Sequence, residues 1–322
     1  MALALLVLAC APAPCEDGDI CTVAGGDVVG FNGEGLPAPE SWLYLPSALT
    51  ENPAGEPCIV DFNNQRVRCL SAGRLVTVAG NGFHDYSTPG TPILTTSMDN
   101  PIDAAWSASG QLVILPVHES RVIAADEDGN VTLLAGTGDE GYTGDGGLAT
   151  EATFAQPSGF ALTDDGALWI ADTLNGAVRR VDADGIVETV LADLPGVQRV
   201  RPGAENHVLV ADSFGGRVLD LAPDGAMIVL GEGYAYPWSA RLGWDGAIYV
   251  ASSGESRVYR LVEGQNELVA GSGESGFSGD DGPATDARLA WPADTLLLPD
   301  GTLLIADMQN GRLRAVAGVA EP

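Results

Sequence analysis

Leu168-Trp-Ile-Ala-Asp172, Val208-Leu-Val-Ala-Asp212 and Leu303-Leu-Ile-Ala-Asp307 are three spellings of one segment, an apolar run closed by Asp. Aligned on that last residue, six copies open at Pro46, Pro101, Pro157, Val197, Pro237 and Pro292. Fifteen residues on they reach Asp61, Pro116, Asp172, Asp212, Ser252 and Asp307, and five further on stand Arg66, Arg121, Ala177, Arg217, Arg257 and Arg312. Such recurrence specifies a repeat architecture before any single residue bears on chemistry. Each copy holds four short strand-like runs separated by turn signals such as Asp165-Gly166, Asp224-Gly225 and Asp300-Gly301. Four antiparallel strands per copy, set radially, predict an all-β, six-bladed propeller. Ion pairs across the turn after the second strand (Asp61–Arg66, Asp212–Arg217, Asp307–Arg312) are expected to be structural, worth about 0.2–1 kcal/mol each if exposed.

The sixth copy stops at Leu313-Arg-Ala-Val-Ala-Gly318, after its third strand. The missing fourth strand stands at the other end: Ile20-Cys-Thr-Val-Ala-Gly25 matches Leu75-Val-Thr-Val-Ala-Gly80. An N-terminal strand would thus complete the last blade and remove the open edge that invites aggregation. The propeller then occupies 19–318, with a linker at 11–18 and a tail at 319–322.

The stretch Gln156-Pro-Ser-Gly-Phe-Ala-Leu-Thr-Asp-Asp-Gly-Ala-Leu-Trp-Ile-Ala-Asp-Thr-Leu-Asn-Gly-Ala-Val-Arg-Arg-Val181 resembles the NHL repeat. The resemblance covers nearly everything after residue 18 and implies a six-bladed propeller. It is specific for fold and poor for function, because NHL domains mostly bind and only some propeller relatives catalyse. Among those relatives are zinc-dependent lyases using three His, and calcium-dependent lactonases with carboxylate and amide ligands at the tunnel.

With 44 acidic against 15 basic residues, the formal charge of −29 excludes nucleic acid as a partner. All 15 basic residues are Arg, which excludes Schiff-base chemistry on this chain. The apolar opening through Cys10 is too short to span a bilayer and reads as the core of a signal peptide. Val7-Leu8-Ala9-Cys10 resembles a bacterial lipobox, which would make Cys10 the lipidated residue and the lipid the only link to a membrane. The alternative is secretion without lipid. Four cysteines remain. Cys58 and Cys69 lie symmetrically about the turn Asp61–Arg66, so on a hairpin they face each other, and Cys15 with Cys21 would close a small loop.

The copies differ in one organised way. Gly25, Gly80, Gly136 and Gly271 each lie twenty-one residues before the next blade's opening proline. An aromatic stands six residues after each glycine (Phe31, Tyr86, Tyr142, Phe277) and is expected to pin the crossover to its blade. These long crossovers precede blades one, two, three and six, which are consecutive on a closed ring. The face carrying them is therefore expected to have a wall, with a low sector over blades four and five.

The low sector also has unusual innermost strands, with Arg199, Arg201 and Arg241 where other copies carry small, apolar or acidic residues such as Asp103 and Asp294. Two readings stand. The arginines form an anion pocket for a carboxylate or phosphate, with Tyr236 and Trp238 beside it, or they are satisfied by Asp103, Asp294 and main-chain carbonyls. Calcium in the channel on Asp103 and Asp294 is a further option; otherwise no cofactor is expected. The three histidines, His84, His118 and His207, are not equivalent across copies, and no Gly-x-Ser-x-Gly elbow occurs. The reading is an exported, lipid-anchored, monomeric binding propeller that recognises a protein or a small anion. A channel-metal lactonase or lyase is the competing class.

Overall fold

A computed structural model describes residues 15–321; the apolar leader and Cys10 lie outside the described residues. Six antiparallel sheets form the blades. The first strands of the blades are Pro46–Glu51, Pro101–Trp106, Gly159–Leu162, Val197–Pro202, Pro237–Leu242 and Pro292–Leu297. Each touches the first strands of both neighbours, and that of blade six touches that of blade one, so the ring is closed. Every blade packs between two others, which buries both faces of its central strands. Leu303–Asp307 is buried at every residue for that reason, and its sequence is a continuous apolar run rather than an alternation. The core is correspondingly divided into clusters shared by adjacent blades, such as Val60 and Val67 of blade one with Ile114 and Ile123 of blade two.

Blade six takes three strands from the C-terminus and Asp19–Gly25 from the N-terminus, with Ile20 opposite Val316 and Cys21 opposite Ala315. The bridge Cys15–Cys21 staples the approach to this strand. Cys58 and Cys69 are directly opposed in blade one and bonded.

Each long crossover descends the outer edge of the blade it leads to before rising to that blade's first strand. Leu36–Pro37 pairs with Leu75 and Arg74 of blade one, and Gly282–Pro283 with Asp19 and Ile20 of blade six. Gly90 and Ile93 donate to Val131 and Gly129 carbonyls of blade two, and Gly146 and Ala149 to those of Val187 and Gly185 of blade three. The wall expected from the sequence is thus also a sleeve over four outer edges. Blades four and five have short connections, and among the described residues no further strand pairs with the outward edges of their outer strands, Met227–Glu232 and Gln265–Ala270.

The repeated ion pair differs from its expected form. In blades one, three and six the carboxylate meets the arginine seven residues on: Asp61 with Arg68 at 3.3 Å, Asp172 with Arg179 at 3.3 Å and Asp307 with Arg314 at 3.5 Å. All six side chains are buried. The arginine five residues on is taken by the crossover's aromatic: the Arg66 guanidinium lies 3.8 Å over Phe31 and that of Arg312 3.6 Å over Phe277. Only blade four, which has no long crossover, keeps the expected pair, Asp212–Arg217 at 2.7 Å.

The seventh-residue arginines also hold the crossover. Arg68 donates to the Trp42 and Gly33 carbonyls, Arg179 to Thr143 and Arg314 to Ser278. An Asn three residues after each Asp donates both to that carboxylate and to a crossover carbonyl, as Asn64 does to Asp61 and Gly30. Asp, Asn and Arg together form a lock that pins the crossover at the turn. Burial pushes the Asp61 and Asp307 carboxyls up to about 6, more than Arg68, Arg314 and the hydrogen bonds lower them.

Candidate functional site

The axis is filled. Arg199, wholly buried, donates to the carbonyls of Ser47, Ile102 and Ser158, reaching from blade four to blades one, two and three. Its stem occupies the space left by Gly159, where a Cβ would stand 2.8 Å from the Arg199 Cγ. Arg201 makes a two-pronged pair with Asp103 at 2.6 and 3.0 Å and also reaches Asp294 at 2.8 Å. Arg241 donates to the Leu49 carbonyl and to Asp294 at 3.1 Å. Of the two readings of these arginines, the geometry favours the second: carboxylates and main-chain carbonyls occupy both terminal nitrogens of Arg199 and Arg201 and Nη2 of Arg241. They form a plug rather than an open anion pocket.

The plug sets its own protonation. Burial alone would raise Asp294, but Arg201, Arg241, Arg199 and the Ser239 hydroxyl together hold it below the ordinary carboxylate range. Burial lowers Arg199 to about 10, so it stays a cation at neutral pH. Asp294 and Arg199 are thereby held as ions in a buried network, an arrangement that specifies geometry more than it adds stability.

Above the plug, at the crossover end of the first strands, lies an aromatic cluster. The Tyr236 ring is 5.4 Å from that of Trp291, 6.1 Å from that of Trp238 and 6.0 Å from that of Phe214. Trp238 and Trp291 meet edge-on at 5.7 Å. Trp238, from blade five, packs against the core of Ile102 and Phe160 that blades two and three share, so its indole lies across the mouth of the axis. Its Nε1 is buried with no hydrogen-bond partner. Phe214 is 70% exposed. Tyr236 and Trp291 each precede the proline that opens a blade and have left-handed φ of 54° and 56°. That conformation costs a non-glycine residue on the order of 1 kcal/mol. Phe214, Tyr236 and Trp238 belong to blades four and five, where the wall is low, and Trp291 ends the long crossover into blade six beside them.

The sequence reading found Tyr236 and Trp238 but not Trp291 or Phe214. Trp291 stands at the same register as Tyr236, immediately before an opening proline, and that register was the available signal. Nothing in the repeat marks Phe214. A cleft of about 740 Å³ opens at the other end of the strands, between blades one and two, with Asn52, Trp106 and Gln111 in its lining. None of its lining residues is among the site residues proposed from the sequence.

A family model described as Teneurin NHL domain matches residues 109–210, from the approach to blade two's second strand into blade four's. Teneurin-3 of Mus musculus is 25% identical over 343 residues, covering 85% of this chain and 12% of its own length. Teneurin-m of Drosophila melanogaster is 28% identical with the same coverage, 85% and 12%. The chain is a six-bladed propeller similar to the NHL domains of these proteins. It spans only 12% of the length of the curated relatives it matches. Among solved structures, a protein of unknown function from Bacteroides thetaiotaomicron superposes with a TM-score of 0.69 at 15% identity, over 93% of this chain and 75% of that one. A gluconolactonase from Xanthomonas campestris gives 0.62 at 16%, over 94% and 90%, and a streptogramin B lyase 0.58 at 14%, over 88% and 96%. These identities establish likeness of fold alone.

The axis of this propeller does not suit a channel metal. The Asp103 oxygens accept from Arg201 and from the Phe160 and Ala104 amides. Those of Asp294 accept from Arg201, Arg241, Ser239 and two amides. A calcium ion, which takes 6–8 oxygen ligands, would have to displace a guanidinium from each carboxylate. The histidines also stay off the axis: His207 pairs with Asp220 at 2.8 Å, and His84 and His118 both approach Asp99.

Proposed function

We propose that this NHL propeller is a non-catalytic binding protein, exported and tethered through Cys10, that recognises a protein partner with the low sector of its crossover face. The carrying observation is the aromatic cluster of Phe214, Tyr236, Trp238 and Trp291, partly exposed and built on two left-handed aromatic residues. Rigid aromatic rings beside a sector without a wall have the composition of a protein-binding centre. The two disulfides favour an oxidising compartment. The sealed axis favours a surface partner over a substrate that enters the channel.

The test begins with envelope proteins retained on the immobilised chain, each purified and measured singly for affinity. A true partner binds the Phe214→Ala/Trp291→Ala variant at least about tenfold more weakly. It binds Leu94→Ala, altered at an exposed crossover residue elsewhere, as it binds the parent. Equal affinity for parent and double variant in every pair would reject the reading.

A further inference from the structure

Two of the three histidines in the chain converge on one carboxylate. His84 Nδ1 lies 2.8 Å and His118 Nδ1 3.1 Å from the same oxygen, Oδ1 of Asp99, and the three donor atoms lie within 4.8 Å of one another. The imidazoles are near parallel, 28° apart with centroids at 6.3 Å, so their Nδ1 edges face one point while the rings stand half in solvent. We propose that His84, Asp99 and His118 form a three-ligand site for a transition-metal dication of the zinc class.

The donor set decides the class of metal. Two imidazoles and a carboxylate suit zinc and its neighbours, whereas calcium and magnesium require oxygen-rich shells. Zinc bonds of about 2.0–2.2 Å set adjacent donors about 2.9–3.4 Å apart, depending on coordination number. The two Nδ1–Oδ1 separations are already near that range. Because both rings are exposed, coordination positions remain for water or for a donor brought by a partner.

The scaffold under the donors is fixed. Buried Glu119, next to His118, accepts from the amides of Ser87 and Asp99 and from the Ser87 hydroxyl. The Tyr86 hydroxyl donates to the His118 carbonyl, and the Val117 amide to that of Asn100. The crossover carrying His84 and Asp99 is thereby sewn to the turn Val117–Glu119 that carries His118.

Location adds a second argument. Blade two lacks the Asp, Asn and Arg of the crossover lock, having Pro116, Glu119 and Ile123 at those positions. The cluster sits on the long crossover that the lock does not hold. A metal joining His84 and Asp99 to His118 would tie that crossover to its turn as the lock does in blades one, three and six. The chain's charge of −29 also draws cations to its surface.

The test uses the full chain without a polyhistidine tag, stripped by chelator and titrated calorimetrically with zinc, then with cobalt(II) in the presence of excess calcium. The expected result is saturation at one equivalent and visible cobalt bands of a four- or five-coordinate ion. His84→Ala, His118→Ala and Asp99→Asn each weaken binding at least about tenfold and remove the bands. His207→Ala, which alters the remote pair with Asp220, leaves both unchanged. Circular dichroism shows whether each variant folds, and His84→Ala, at the most exposed ligand, serves if the others do not. Binding by the parent no tighter than by His84→Ala would overturn the site, as general attraction to negative charge would then account for it.

Discussion

Arg201 joins two buried carboxylates, and its replacement isolates a different set of charges from the replacement of Arg241. Arg201→Ala leaves Asp103 with only amide donors and Asp294 with Arg241 and the more distant Arg199. Stranding a buried charge in this way costs about 3–5 kcal/mol. Arg241 has a side chain 20% exposed, and Arg201 remains on Asp294 without it. Urea unfolding should therefore show Arg201→Ala as the more damaging change, by about 2 kcal/mol or more. Parity between them would mean that the plug does not hold Asp103. Position near the axis was legible for these arginines because the repeats align. Their state of satisfaction was not legible, since Asp103 and Asp294 lie 98 and 93 residues away in the chain. The error over Asp61–Arg66 has the same origin. Those residues are directly opposed across the hairpin, yet Phe31 of the crossover takes Arg66 and leaves the carboxylate to Arg68.

Among elements, the long crossovers carry most of the asymmetry. Their spacing was evident from the glycines, and the structure shows why glycine recurs there. At Gly136 the backbone has φ of 88°, and a Cβ would stand 2.3 Å from the Ser120 carbonyl oxygen. Gly25, Gly80 and Gly271 meet the carbonyls of Gly311, Gln65 and Ser256 at 2.1–2.2 Å in the same way. Each marks the place where the outer strand leaves its sheet under the turn before the third strand. Gly146, in the same crossover as Gly136, has φ of 80° but nothing within 4 Å of a built Cβ. Gly146→Ala should cost only the left-handed penalty, about 1–2 kcal/mol, and Gly136→Ala appreciably more because a carbonyl must also move. Comparison of the two variants by thermal melting checks this, and equal losses would show that the turn yields freely. Descent of the crossover along the outer edge had no counterpart in the sequence. Pairings such as Gly282–Pro283 with Asp19 and Ile20 are main-chain contacts that no side-chain pattern records.

For the molecule as a whole, the closed ring and the sleeve over four blades leave acidity to protect the remaining edges. Outer strand Met227–Glu232 of blade four exposes Ile228 at 59% and Val229 at 48%, an uncovered apolar edge of the kind that templates association. Repulsion at −29 keeps copies apart near neutral pH. Acidification alters folding and association in opposite senses. The folded-state values of about 6 for Asp61 and Asp307 lie above the ordinary 3.8, so the folded chain binds more protons across that interval. Their burial cost is present above about pH 6 and declines toward pH 4, so unfolding free energy rises as pH falls from 7.5 to 5, by about 1 kcal/mol per carboxyl. Asp294, held far below the usual range, stays ionised throughout and preserves the plug. Over the same interval the net charge shrinks toward the isoelectric point near 4.1, and the edge of blade four loses its protection. A higher melting temperature at pH 5 than at pH 7.5, accompanied by faster association, is the expected pair of results. Ile228→Lys should suppress the association and leave the melting shift intact, because residue 228 faces solvent while Asp61 and Asp307 are buried. Calorimetry with light scattering on parent and variant separates the two effects; a melting temperature that falls on acidification would show that the buried carboxyls are not the groups taking up protons.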